Sequence, residues 1–301
     1  MWQDLIHGYQ AFLQIEKSLS KASVSAYLHD VRLLEQFMEA GYPGLSVTEI
    51  TLKHLQQFIA TLKDKEFEAS TQARLTSGIR SYFHYLLMED IISEDPSELL
   101  RIPQAKRKLP DVLSVEEISR LFAAIDHSTP EGQRNRAILE VMYSSGLRVS
   151  EVIGLKLSNL FFDEGFIRVT GKGAKERLIP IGREAVKYVT IYWKQVRCHA
   201  RVQKGAGDIL FISRLGKGLS RVMVFYIIKE AARQAGLDKN VHPHTLRHSF
   251  ATHLIEGGAD LRAIQEMLGH ENITTTEIYT HLDQRYLRET LELYHPRFRK
   301  H

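Results

Sequence analysis

The ten residues Arg101-Ile-Pro-Gln-Ala-Lys-Arg-Lys-Leu-Pro110 hold two prolines and four cations, and they constrain the chain more than any other segment. Proline removes a backbone donor and clashes inside a helix, and a run of unpaired cations does not enter a core. The segment therefore reads as a linker between two separately folded parts. A helical domain is expected over 1–102, a basic linker over 103–110 and a second domain over 111–301. A length of 301 residues agrees with two domains at roughly 150 residues each. The linker cations Lys106, Arg107 and Lys108 could track a phosphate backbone, and a solvated tether is the plainer alternative.

Apolar residues recur at three- and four-residue spacing over 3–17, 22–40, 47–64 and 69–89, which predicts four helices before the linker. Ser20 and Ser23, Ser46 and Thr48, and Ser70 supply start signals, and Gly41-Tyr-Pro-Gly44 separates the second helix from the third. Beyond the linker, Ser114-Val-Glu-Glu117 is a capping-box pattern for a helix to about residue 126. Further helices are expected over 131–144, from Arg148, and over 183–202, 220–235, 244–256, 260–269 and 283–293. Between them lies one β signal, in which Phe161-Phe162, Phe166–Thr170 and Glu176–Pro180 alternate around glycine turns as a small antiparallel meander. The fold class is mainly α with one small sheet.

Hydrophobic residues at 44% and charged residues at 25% exclude a mainly disordered chain. No run approaches the ~18 apolar residues of a membrane helix, and no secretory leader pattern opens the chain. A single cysteine, Cys198, fits a reducing compartment, so a cytoplasmic protein without membrane insertion is expected. Charge is divided unevenly: residues 1–100 carry a net −6 and the remainder a net +10. Glu89, Asp90, Glu94, Asp95 and Glu98 supply much of the negative balance, so the second part is the better candidate for a polyanion surface.

Four segments crowd reactive residues beside glycines and helix starts. In Ser144–Glu151, Arg148 follows a glycine stop and Glu151 lies three residues on, placed to orient it. In Thr170–Arg177, Lys172 sits between two glycines, with Arg168, Lys175 and Arg177 making a basic turn for phosphates. The spacing of a nucleotide-binding P-loop is absent. In Val241–Phe250, Pro243 starts a helix and puts His244 and Arg247 on one face at its positive end. His244 and His248 are also metal-spaced, but no carboxylate or cysteine completes a ligand set. In Leu268–His281, His270 follows a glycine and Tyr279 lies nine residues later. Each alone has a bland reading: a surface ion pair, a solvated turn, a cap, a packed tyrosine. Together they form one set, with cations to bind a phosphodiester and a tyrosine to attack it.

In this order and spacing the residues resemble the tyrosine recombinases of the lambda-integrase superfamily, and among them the Xer family. The motifs are Gly146–Leu155, Gly171-Lys-Gly173, His244–His253, Leu268-Gly-His270 and Thr276–His281. The resemblance implies a two-domain C-clamp around DNA, with a SAM-like core-binding domain ahead of a catalytic domain that ends in an oligomerisation helix. It implies Tyr279 as nucleophile, Arg148 and Arg247 as phosphate clamps, His244 as base, His270 as a further phosphate contact and Lys172 as general acid. No cofactor or metal is implied. The implied partners are double-stranded DNA at a dif-type site, a XerC-like recombinase in a cyclic heterotetramer and an FtsK-type translocase. An integrase of a mobile genetic element shares all six residues. A type IB topoisomerase and a non-catalytic DNA-binding factor are more distant alternatives.

In the family the first domain grips DNA, which sits poorly with its net −6. Lys17, Lys21, Arg32, Lys53, Arg74 and Arg80 are expected to include its contact face. The acidic loop at 89–98 should then turn away.

Overall fold

The computed structural model describes residues 2–17, 19–101, 111–171, 175–269 and 281–298. The chain divides into two compact units, Met1–Lys108 and Leu109–His301.

The first unit holds α1 (Trp2–Ile15), α2 (Lys21–Gly41), α3 (Leu52–Asp64) and α4 (Ala69–Met88). Ser20 starts α2 by accepting the Ser23 N–H. The expected helix over 47–64 is instead split. Ser46 and Glu49 form a capping box around a single 3-10 turn, Val47–Glu49. Ile50 is extended and buried, and α3 starts after Thr51. Two start signals five residues apart outweighed the apolar period running through both. Ser70 does not cap α4; Glu68 holds that position, and the Ser70 hydroxyl donates to its carboxylate. The core places Leu75, Ile79, Tyr82 and Leu86 of α4 with Val31, Leu34 and Met38 of α2 and Tyr9 and Leu13 of α1.

The second unit opens with α5 (Val115–Ala123), whose Ser114–Glu117 capping box is formed. Next come α6 (Pro130–Ser144) and α7 (Val149–Ile153). The sheet follows: β1 (Leu160–Phe161), β2 (Phe166–Thr170) and β3 (Glu176–Pro180) in the order β1-β2-β3, antiparallel. The β2–β3 register pairs Ile167 with Ile179 and Val169 with Arg177. Helices α8 (Arg183–Gln195), α9 (Arg221–Gln234), α10 (Pro243–Gly257), α11 (Leu261–Leu268) and α12 (His281–Tyr294) complete the unit. The helix expected to reach 202 stops at Gln195. Just beyond it, Arg197 is buried and donates to the carbonyls of Ala206, Gly207 and Ile209.

Helix α6 runs through the middle of this unit, with Ala137, Ile138, Leu139, Val141 and Met142 all fully buried. It ends at Gly146, where φ is +60°. A Cβ there would lie 2.5 Å from the Phe250 ring, so both the backbone and the space require glycine.

The resemblance implies that α12 serves as an oligomerisation helix, with packing on its own domain as the plainer alternative. In this structure its apolar stripe is seated on its own unit, with Leu287 and Leu291 buried in the same core as α6 and α10. His295 behind it is fully buried, against the rings of Tyr143, Phe250 and Phe298. Arg297 closes the end by donating to Glu140 of α6 at 3.0 Å. An amphipathic pattern says that a stripe must be covered, not whose core covers it.

Candidate active site

The Gly146 turn at the end of α6 sets the position of Arg148, which leads into α7. The Arg148 backbone N–H donates to Glu151 Oε2 at 2.8 Å and its Nη1 to Oε1 at 3.0 Å, so the three-residue spacing is used as expected. Its side chain is 35% exposed, leaving guanidinium donors open to solvent.

Arg247 lies in the first turns of α10. Its Nη1 donates to the carbonyl of Gly146 at 2.8 Å and its Nη2 to that of Leu268 at 2.6 Å. Burial, and then the nearby Arg148 charge, bring its pKa down to about 10, so it remains a cation at neutral pH. His244 is one turn earlier on the same helix and exposed, as is His248.

Arg177 departs from its expected role. It was read as part of an open basic turn for DNA, but it is buried. Its Nη1 and Nη2 grip Glu151 at 2.9 and 3.1 Å, and its Nε donates to the carbonyl of Met267 at 3.2 Å. The strand alternation carried this signal: Arg177 is in phase with Ile179, on the inward face of β3. Lys175 is exposed beside the turn, and Arg168, on β2, is half-buried. Arg168 lies over the Phe161 ring at 5.0 Å and 3.9 Å from Glu176.

Glu151 accepts from both arginines and from the Arg148 backbone. Burial alone would raise its pKa, but the hydrogen bonds and charge of Arg177, followed by the bonds from Arg148, prevail and lower it. It is therefore a fixed carboxylate between two cations.

Three arginines also converge on the last carbonyls of α11. Arg177 takes Met267, Arg247 takes Leu268 and Arg148 takes Gly269, the last at 3.2 Å. These are carbonyls that a helix end leaves unbonded, at the negative end of its dipole. Gly269 itself has φ of +64°, and a Cβ there would lie 3.1 Å from the Arg177 guanidinium. The hairpin carrying the Lys172 turn is closed by the Gly171 N–H on the Lys175 carbonyl at 2.7 Å. A Cβ on Gly171 would lie 3.2 Å from Arg177 Nη1 and 3.8 Å from Glu151 Oε1, so the turn begins against the same pair. Arg148, Arg177 and Arg247 with one Glu151 leave an excess of two positive charges, an arrangement suited to an anion.

Lys172, His270 and Tyr279 lie outside the described residues, as do Lys106, Arg107 and Lys108 of the linker. The described residues bring together the frame from which Lys172 and His270 depart: Gly171 and Lys175 on one side, Gly269 on the other.

Over residues 111–285 the chain matches the family described as the phage integrase family. Residues 6–90 match the phage integrase N-terminal SAM-like domain. It is 38% identical to the tyrosine recombinase XerD of Listeria monocytogenes serotype 4b (strain F2365) over 294 residues, 98% of this chain and 99% of that one. Identity to the tyrosine recombinase XerD of Staphylococcus aureus (strain Mu50 / ATCC 700699) is 40% over 295 residues, with the same coverage. The solved structure of the Tn1549 transposon integrase (residues 82–397), in complex with circular intermediate DNA, shares the fold. Its TM-score is 0.73 at 20% identity, covering 93% of this chain and 97% of that one.

The family match and the near-full-length relatives, with the helical fold and its small sheet, thus define a DNA-recombining enzyme. The chain belongs to the phage integrase family: it is a tyrosine recombinase, similar to XerD, which cleaves and rejoins DNA.

Proposed function

We propose that this recombinase resolves chromosome dimers at a dif-type site during cell division, through a 3′-phosphotyrosyl intermediate and a Holliday junction. The convergence of Arg148 and Arg247 on the Gly146 and Leu268–Gly269 backbone carries the reading, because it supports two preorganised cations around one anion. Arg148 and Arg247 hold the non-bridging oxygens of the scissile phosphate, and Glu151 positions Arg148. Tyr279 attacks phosphorus, and its Oη–P bond forms as the bond to the 5′ oxygen breaks. A tyrosine of ordinary pKa near 10 is a weak nucleophile at pH 7, so His244 takes its proton. Lys172 protonates the leaving 5′ oxygen, and His270 adds a hydrogen bond to the phosphate. The phosphotyrosyl bond keeps the energy of the broken phosphodiester, and attack by a partner strand's 5′-hydroxyl reverses the step.

On this reading the two units clamp the duplex, the basic linker follows its backbone, and Arg168 and Lys175 contact phosphates beside the site. The working assembly is a cyclic heterotetramer with a XerC-like recombinase, activated by an FtsK-type translocase in the cytoplasm. The near-full-length identity to XerD proteins favours this over an integrase of a mobile element.

A plasmid with two directly repeated dif-type sites tests it, incubated with this protein and a XerC-like partner. Excision that stops when either protein is omitted is the expected result. Recombination by this protein alone, at sites flanking mobile cargo, would replace the reading with the integrase one.

A further inference from the structure

Asp30 is a carboxylate in the core of the acidic first unit. It lies on α2 with its side chain 2% exposed, and its hydrogen-bond partner is Arg74 of α4, whose Nη1 meets Oδ2 at 2.7 Å. The other oxygen, Oδ1, is buried without a hydrogen-bond partner among the described residues. Room for the group is made by Gly78, one turn after Arg74 on α4, where a Cβ would lie 2.5 Å from Oδ2. A half-satisfied buried carboxylate is a poor source of stability. Burial pushes its pKa above the usual range even though the hydrogen bond and charge of Arg74 pull it down. The pair therefore adds little to the stability of the fold, which leaves its presence to be explained.

Arg74 supplies the reason. Its side chain is 48% exposed, so the guanidinium is pinned at one nitrogen while its remaining donors face outward. It belongs to a helix of unusual composition for this unit: Ala69–Met88 contains Arg74, Arg80, His84 and five Ser or Thr residues, and no Asp or Glu. Beside Arg74, Thr71 is half-buried and Ser77 exposed, three residues away on either side along the same face. Within a part of the chain carrying a net −6, this helix adds no acid of its own around a fixed cation, and the acid that caps it, Glu68, stands at its start. Such a face fits a phosphodiester backbone, which Arg recognises through two parallel hydrogen bonds.

We propose that Asp30 is a positioning residue that holds Arg74 outward as a DNA-phosphate ligand of the first unit. The inference rests on the DNA-recombining function above. It selects Arg74 from the six cations named above as candidates for that unit's contact face and assigns Asp30 a role in binding rather than in the fold.

The experiment uses the full chain and its duplex recombination site, comparing wild type with Arg74→Ala, Asp30→Asn and the double variant. Affinity is measured across a salt series and thermal stability is measured in parallel. Arg74→Ala should weaken binding roughly three- to tenfold and reduce the salt slope by about one phosphate contact. Asp30→Asn should keep a melting temperature near that of wild type while weakening binding roughly two- to fivefold, as a guanidinium loses its anchor. In the double variant no buried charge is left unpaired, so it should fold, and it should bind no more weakly than Arg74→Ala alone.

An unchanged salt slope in the folded double variant would overturn the proposal and leave Arg74 as a counterion of Asp30. So would additive losses in the two single variants. Wild type that shows no salt-dependent binding would instead strike at the DNA-recombining reading, before any variant is compared.

Discussion

Two buried carboxylates of the second unit, Glu151 and Glu140, each grip two arginines, and they differ in what those arginines are left free to do. Glu151 accepts with both oxygens, and one partner, Arg148, keeps an exposed guanidinium edge. Glu140 takes Arg136 and Arg297 on Oε1 alone, and Oε2 has no partner among the described residues. Its arginines are also committed elsewhere. Arg136 stacks on Phe122 and Tyr188 and donates to the Phe122 carbonyl, and Arg297 lies over Phe122. The electrostatics diverge accordingly. Glu151 is lowered because its two arginines outweigh burial, whereas burial of Glu140 outweighs Arg297 and Arg136 and raises its pKa. One cluster leaves a guanidinium edge exposed; the other ties Arg297 to the central helix.

Breaking each cluster should therefore fail in a different way. Glu140→Ala leaves Arg136 buried without its carboxylate and should destabilise the second unit by about 3–5 kcal/mol in denaturant unfolding. Cleavage by the molecules that remain folded should be normal; a specific loss of turnover at full folding would contradict the clasp role. Arg247→Ala should lower the rate of covalent adduct formation by about 10²–10³-fold while DNA affinity falls far less. An equal loss in both would make Arg247 a binding group. Glu151→Gln keeps the shape but removes the charge that orients Arg148 and Arg177, and should slow cleavage by roughly 10- to 100-fold.

pH separates the clusters further. The lowered Glu151 contributes stability that is present above its unfolded value and is lost as pH falls through its folded one. The stability that Glu151→Gln loses at neutral pH should therefore shrink in acid. Glu140 has the opposite sign: its ionised form opposes folding at neutral pH, so Glu140→Gln should gain relative to wild type as pH rises. His295, driven by burial from 6.5 to about 3, stays neutral in the fold while the unfolded chain takes up a proton. Its contribution is thus complete above about pH 6.5 and falls as pH drops toward 3. His295→Phe should flatten that part of the stability profile, and an unchanged profile would place the acid sensitivity elsewhere.

Parts of the Glu151 cluster were legible in the sequence, and the Glu140 cluster was not. The glycine stop before Arg148, the three-residue step to Glu151 and the Pro243 start before His244 and Arg247 are local signals, and local geometry satisfies them. Arg177 was misread because a basic turn looks the same whether or not a buried carboxylate waits 26 residues earlier in the chain. The carbonyls of Met267, Leu268 and Gly269 have no side-chain signature, so their capture by three arginines emerges only from the tertiary fold. The break at Ile50 was hidden, and the choice of cover for α12 was left open, for related reasons. An apolar period marks a face to be covered but names neither its cover nor the cap that interrupts it.

If this cation frame serves a tyrosine nucleophile, that tyrosine must become joined to DNA. The most direct measurement incubates the protein with a nicked suicide duplex of its site, in chelator, and resolves the products on a denaturing gel. Wild type should give a slow-migrating protein–DNA adduct, and Tyr279→Phe none despite wild-type DNA affinity. An adduct of equal yield from Tyr279→Phe would contradict it.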